Sequence, residues 1–213
     1  MTNQRVEQNE SWLAVNKMLP LLAGIFIAFS ILLPFWRVDM KAPQYPEKTL
    51  TIKIFANKMV GDIWEVNTLN QYAGVKFPEN LPEFKMFPPI LGVIALFNLA
   101  AAFASKKLRK ILLPIVVAVL FIFLTASLAD LQWRLYEVGH NLDPHAPMAG
   151  FKEFTPPILG PNKIANFHTL ALFGSGGVAI GLAFVFNFIA FMKRNSAVTI
   201  NEWGKKLSHM LDS

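Results

Sequence analysis

The chain has 213 residues, 54% of them hydrophobic and 16% charged, with a formal charge of +6. Charge is depleted against the roughly 25% of ordinary globular domains, and what remains lies between long apolar runs, which is the pattern of a membrane protein. The absence of cysteine excludes disulfides, thiolate-held zinc or iron–sulfur clusters and covalently attached c-type haem.

Four apolar runs follow one another: about 18–36, 89–105, 111–133 and 170–192. Each is long enough at 1.5 Å per residue to cross about 30 Å of hydrocarbon. The expected fold is an all-α integral membrane protein, a single membrane domain over 1–213 with four transmembrane helices. The first run follows a polar start and ends in Pro34-Phe35-Trp36 without a small-residue cleavage site, so it reads as a retained anchor. Lys106, Lys107, Arg109 and Lys110 crowd the link between runs two and three, and Lys193 and Arg194 follow run four. The positive-inside rule then puts that link and both termini in the cytoplasm of a bacterial inner membrane, with Trp36 and Trp133 as belt residues at the outer interface. Because the basic excess is topological and no binding motif accompanies it, no nucleic-acid partner is expected.

The first outer loop, about 37–88, is too long for a plain connection. Leu50, Ile52 and Ile54 alternate with Thr51 and Lys53, which predicts a half-buried strand. Asp62 and Glu65 have capping-box spacing, Ile63, Val66, Leu69 and Tyr72 follow at three-residue steps, and Gly74 is a stop. A small strand-plus-helix lid is predicted, serving as structure or as a docking surface.

Near the outer end of run three, Asp130 is a carboxylate in apolar sequence, and Arg134 stands at i+4. An ion pair between them is the bland reading. A proton or ion relay is the sharper one, although a relay needs more buried ionisable groups than these.

The second outer loop, about 134–169, carries His140, Asp143, His145 and Met148, with His168 where the chain re-enters. Pro144 and Pro147 forbid a regular helix here. Imidazoles and a thioether on a proline-stiffened segment suit Cu(I), with Asp143 as a partner to a ligating histidine. The competing reading is a structural loop with hydrogen-bonded or exposed histidines, since no HExxH-type spacing is present. Gly174-Ser175-Gly176-Gly177 opens run four, and Gly177 with Gly181 makes a GxxxG pair that allows close helix contact. Asn98 and Asn187 can bond across helices. Beyond run four, Trp203, Leu207 and Met210 fall at helical spacing with Lys205 and Lys206 between them, which fits an interfacial helix or a frayed end.

The stretches Tyr45–Gly74 and Gly139–Phe167 resemble small bacterial four-span membrane proteins associated with copper-site maturation of nitrous oxide reductase. The resemblance covers both outer loops and the four-span plan. It implies a membrane accessory protein with a link to copper. The family's LNHYIGM motif reads LNQYAGV here, with Gln71 and Val75 in place of its His and Met. Any ion would therefore sit at the second loop.

Three functions follow as expectations. The first is a non-enzymatic accessory protein that docks a partner at the outer face and binds or delivers copper. The second is a structural subunit of a larger membrane redox or monooxygenase complex, and the third is a metal-dependent enzyme built on Asp130, His140 and His168.

Overall fold

The computed structural model describes residues 17–75, 81–147, 153–164 and 166–211. It is mostly helical. An apolar helix, α1 (Lys17–Ser30), is followed by strands β1 (Trp36–Lys41), β2 (Leu50–Ile54) and β3 (Met59–Gly61) and by helix α2 (Ile63–Ala73). Then come α3 (Glu83–Phe103), α4 (Lys106–His140), β4 (Gly160–Ile164), β5 (Phe167–Phe173) and α5 (Ser175–Leu211). Among the described residues, three helices are long and apolar enough to cross a membrane: α3, α4 and the Ser175–Lys193 part of α5. Their exposed apolar side chains, among them Leu96, Phe121, Ile122 and Val185, are compatible with lipid contact.

The all-α expectation is corrected by a five-stranded antiparallel sheet in the order β3-β2-β1-β5-β4. Two of its inner strands lie at apolar runs: β1 starts where the first run ends, at Trp36, and β5 overlaps the start of the fourth. Pro34 cannot continue α1, because it lacks an N–H and disfavours helix at the preceding residue. The chain turns at 31–35 and extends from Trp36. Residues 170–173 are apolar enough to read as span, yet they pair residue for residue with β1, Trp36 opposite Phe173 and Asp39 opposite Leu170. Helix starts only after Gly174. In β1, Trp36, Val38 and Met40 join the buried clusters while Arg37 and Lys41 are exposed, the period-two pattern of a strand with one covered face.

The chain divides into two compact units. The sheet-bearing unit comprises Phe29–Leu91 and Ile122–Ala179. Leu50 and Ile52 of β2 are buried against Val66 and Leu69 of α2, as the alternation predicts. Gly74 ends α2 in the left-handed conformation, φ 75°, and its N–H donates to the Gln71 carbonyl. Trp36 is 3% exposed, so it is a core residue and not a belt residue; its Nε1–H donates to the Ile158 carbonyl at 2.7 Å. Gly176 and Gly177 approach the carbonyls of Leu33 and Phe35 so closely that a Cβ would strike backbone, whereas Gly181 meets nothing within 4 Å. Gly176 and Gly177 thus make room for the turn after α1.

The helical unit comprises Met1–Ala28, Gly92–Phe121 and Ile180–Ser213. Asn98 and Asn187 are buried, and each donates to the carbonyl four residues earlier in its own helix, Ile94 and Ala183. Among the described residues their Oδ1 atoms find no donor. Arg109, expected as a topological charge, is 5% exposed. Its guanidinium donates to the carbonyls of Ala101 (2.8 Å), Ala102 (3.0 Å) and Ala104 (2.7 Å), capping the end of α3. The last carbonyls of a helix have no partner within it. A forked five-donor group serves several of them where an ammonium serves fewer.

The capping box expected at Asp62 and Glu65 does not form. Asp62 stands at the N-cap, but its Oδ2 accepts the Thr51 N–H (2.9 Å) and its Oδ1 pairs with Lys48 (2.7 Å). The Lys48 ammonium, then the Thr51 N–H, hold the Asp62 carboxyl below its ordinary 3.8, and Asp62 holds Lys48 above its ordinary 10.5. A lowered carboxyl contributes stability above 3.8 that is lost as pH falls through the folded value. A raised ammonium contributes stability below 10.5 that is lost as pH climbs through its folded value.

Two outcomes are expected. Arg109→Ala lowers stability by about 2 kcal/mol, and Arg109→Lys recovers only part of it, read as thermal unfolding in detergent. As pH falls from 3.8 through the lowered folded value of Asp62, the wild type loses more thermal stability than Asp62→Asn, while near neutral pH the wild type is the more stable of the two.

Candidate functional site

The sheet-bearing unit holds nearly every residue that the sequence marks for chemistry. His140 is not in a loop but in the last turn of α4. Its Nδ1 lies 2.9 Å from the Tyr136 carbonyl, its ring stacks on Tyr136 with centroids 3.8 Å apart, and its Nε2 is 3.7 Å from the Glu153 carboxylate. Trp133 stacks in turn on Tyr136 and is 59% exposed.

The chain leaves α4 through a turn fixed by Asp143. The Asp143 carboxylate accepts the His145 N–H at 2.9 Å, its carbonyl accepts the Ala146 N–H, and its own N–H donates to Gly74 at the end of α2. An aspartate closing on the backbone two residues ahead is a local turn former. It leaves His145 exposed. Phe154 returns to donate to the Gly139 carbonyl at 3.3 Å. The two long connections are thereby joined around the end of α4, with Val75 and Val138 buried there.

His168 lies elsewhere. It is exposed in β5, with Lys41 opposite on one side and Lys163 on the other. Two ammonium neighbours make that position a poor place for a cation. Met148 lies outside the described residues. Among the described residues, no three His, Asp or Glu side chains converge as a metal-binding group. His140 closes α4, His145 lies in the turn after it, and His168 stays on the sheet.

The ion pair expected between Asp130 and Arg134 is replaced by another. Arg134 donates to Glu83 at the start of α3 (2.5 Å) and to Glu137 one turn ahead (3.0 Å). Asp130 sits beside Glu83. Two carboxylates thus share one guanidinium, and the Glu83 Oε2 and Arg134 Nε have no hydrogen-bond partner among the described residues. The arrangement ties the first turn of α3 to α4. A carboxylate in a helix's first turn also meets the positive end of the helix dipole. Sequence reasoning missed Glu83, although an acidic residue ahead of Pro88 and Pro89 is an available sign of a helix start.

A further feature was invisible in the sequence. The core of this unit consists of three separate buried clusters, one around Leu50 and Phe167, one around Trp36 and Leu135, one around Val75 and Val138. A cavity of about 60 Å³ lies among them and is walled by members of all three. Asn70 is the buried polar residue in its wall.

Arg134→Ala leaves Glu83 and Glu137 without their cation and is expected to lower detergent-phase stability by about 2 kcal/mol, below the full cost of a buried pair because these side chains are partly exposed. Glu137→Gln is expected to cost less than about 1 kcal/mol, and denaturant midpoints of the two variants check the order. No protein-family model matches the chain, and no curated protein matches it.

Proposed function

We propose that this chain is a non-enzymatic accessory protein of the bacterial cytoplasmic membrane. In this reading α1 crosses together with α3, α4 and α5, both termini are cytoplasmic, and the sheet-bearing unit docks a protein partner at the outer face. One observation carries it: two connections far apart in sequence fold into a single sheet with its own buried clusters. Links between helices need only a few residues, and ordering some ninety residues of connection costs far more chain entropy than linkage requires. That unit presents Trp64, 75% exposed, and Val60, 42% exposed, on either side of the turn from β3 into α2. An exposed tryptophan is the residue type that most often anchors a protein interface.

The proposal extends to copper at the end of α4 and the turn after it, where His140 and His145 lie. What supports this part is the resemblance of the two loops to copper-maturation membrane proteins and the soft, thiolate-free donor set.

Gentle solubilisation of native membranes followed by native-mass measurement tests the docking reading. A heteromer is expected for the wild type, and about a tenfold loss of it for Trp64→Ala, as befits an interface anchor. A lone protomer from wild-type membranes overturns it. For the metal, Cu(I) titration of the purified chain against a variant carrying His140→Ala, His145→Ala and Met148→Ala is expected to show bound copper in the wild type alone. Equal stoichiometry removes the copper part.

A further inference from the structure

We propose that the cavity in the sheet-bearing unit is a binding site for the end of an aliphatic chain, drawn from a bilayer lipid or from a free amphiphile at the interface. The inference goes beyond the docking reading and does not depend on it.

Size decides the class of ligand. A cavity of about 150 Å³ lined by aliphatic and aromatic side chains takes benzene, and an apolar cavity stays dry. At about 60 Å³ this one is too narrow for a ring. It has room for about the last two carbons of a slim chain, at ~30 Å³ per water-sized group. Its wall is almost wholly apolar, with Trp36, Val66, Leu135, Val138 and Phe167 among its residues. The segment over it contributes Pro156 and Pro157. Prolines suit an apolar cavity, because they bring no N–H that must be satisfied there.

Position decides the source. Leu135 and Val138 belong to α4, a helix long and apolar enough to cross a membrane. They lie two and five residues past the exposed Trp133, or about 3 and 7.5 Å further along the axis. A tryptophan of that kind marks the level of lipid headgroups. A chain end that folds back to the interface, or a free amphiphile partitioned there, arrives at the depth of the cavity. Asn70 offers the one buried polar side chain in the wall. A few placed polar groups in an apolar site are what orient a ligand.

Trp36 reports on the site from inside it. The full chain is prepared with Trp36 as its only tryptophan, the others being replaced by phenylalanine. It is reconstituted in phosphatidylcholine vesicles whose chains end in bromine. Unbound chain ends gather near the bilayer midplane, about 15 Å from the interface and beyond contact quenching. The emission of Trp36 is expected to fall about twofold, as it does when half or more of the sites are filled. In a second arm, a fatty acid brominated at its terminus is added to the same protein in unbrominated vesicles. Saturable quenching in that arm with none in the first supports the site and assigns it to a free amphiphile. No quenching in either arm overturns the proposal.

Ala171→Leu fills the cavity from β5 and is expected to abolish the quenching while the far-ultraviolet circular dichroism stays unchanged. Val138→Phe serves the same purpose should the first variant not fold. Undiminished quenching in a folded filling variant places the contact outside the cavity and equally overturns the proposal.

Discussion

The pairing of β1 with β5 is the constraint on which the sheet-bearing unit depends. It runs from Trp36 opposite Phe173 to Lys41 opposite His168. The first strand follows α1 after a short turn, and the second leads into α5 through Gly174. Two helices that are far apart in sequence are thus continued by neighbouring strands. Everything else in the sheet is added to that pair: β2 and β3 on the side of β1, β4 on the side of β5. The close approach of Gly174, Gly176 and Gly177 to residues 33–35 belongs to the same junction. The Gly174 N–H donates to Phe35 and the Gly176 N–H to Pro34. A side chain at those glycines would push the turn away and spoil the register.

Charge inside so apolar a chain is spent on helix ends and joints. Arg109 serves three carbonyls at the end of α3, and Arg134 joins the start of α3 to α4. Both are arginines, and both make more than one hydrogen bond. The planar fork keeps its charge when partly buried and meets several acceptors at once, which an ammonium on a flexible stem does less well. The same economy appears at Asp62, which holds β2 and Lys48 together where a cap for α2 was expected. In each case one ionised group satisfies backbone or charge from two elements.

What the sequence made legible follows from the reach of its signals. Hydropathy located the three long apolar helices, because a run of some twenty apolar residues has few other uses. Alternation located β2, and the three-residue steps with Gly74 located α2 and its end, since these patterns are local. Hydropathy failed at Trp36 and at Leu170–Phe173. A short apolar run reads alike as helix or strand, and only the pairing partner tells them apart. The alternation Trp36-Arg37-Val38-Asp39-Met40-Lys41 was the signal there, hidden by its abutment on a span. The partner of Arg134 was misread because an i+4 acid is visible in sequence while Glu83, fifty-one residues away, is not. The cavity lay beyond reach for the same reason, since it exists only between elements brought together by the fold.

The most direct test of the β1–β5 pairing uses the absence of native cysteine. Arg37 and Leu172 stand opposite one another in the sheet, and Leu170 is offset by two residues. Opposed residues of an antiparallel pair have Cα atoms about 4.5–5.5 Å apart, within disulfide range, whereas residues displaced by two are not. Mild oxidation of the chain carrying Arg37→Cys with Leu172→Cys is predicted to give an intramolecular disulfide in high yield, and Arg37→Cys with Leu170→Cys to give little. Equal yields from the two pairs, or none from the first, would mean that residues 170–173 belong to the helix after all and would contradict the account.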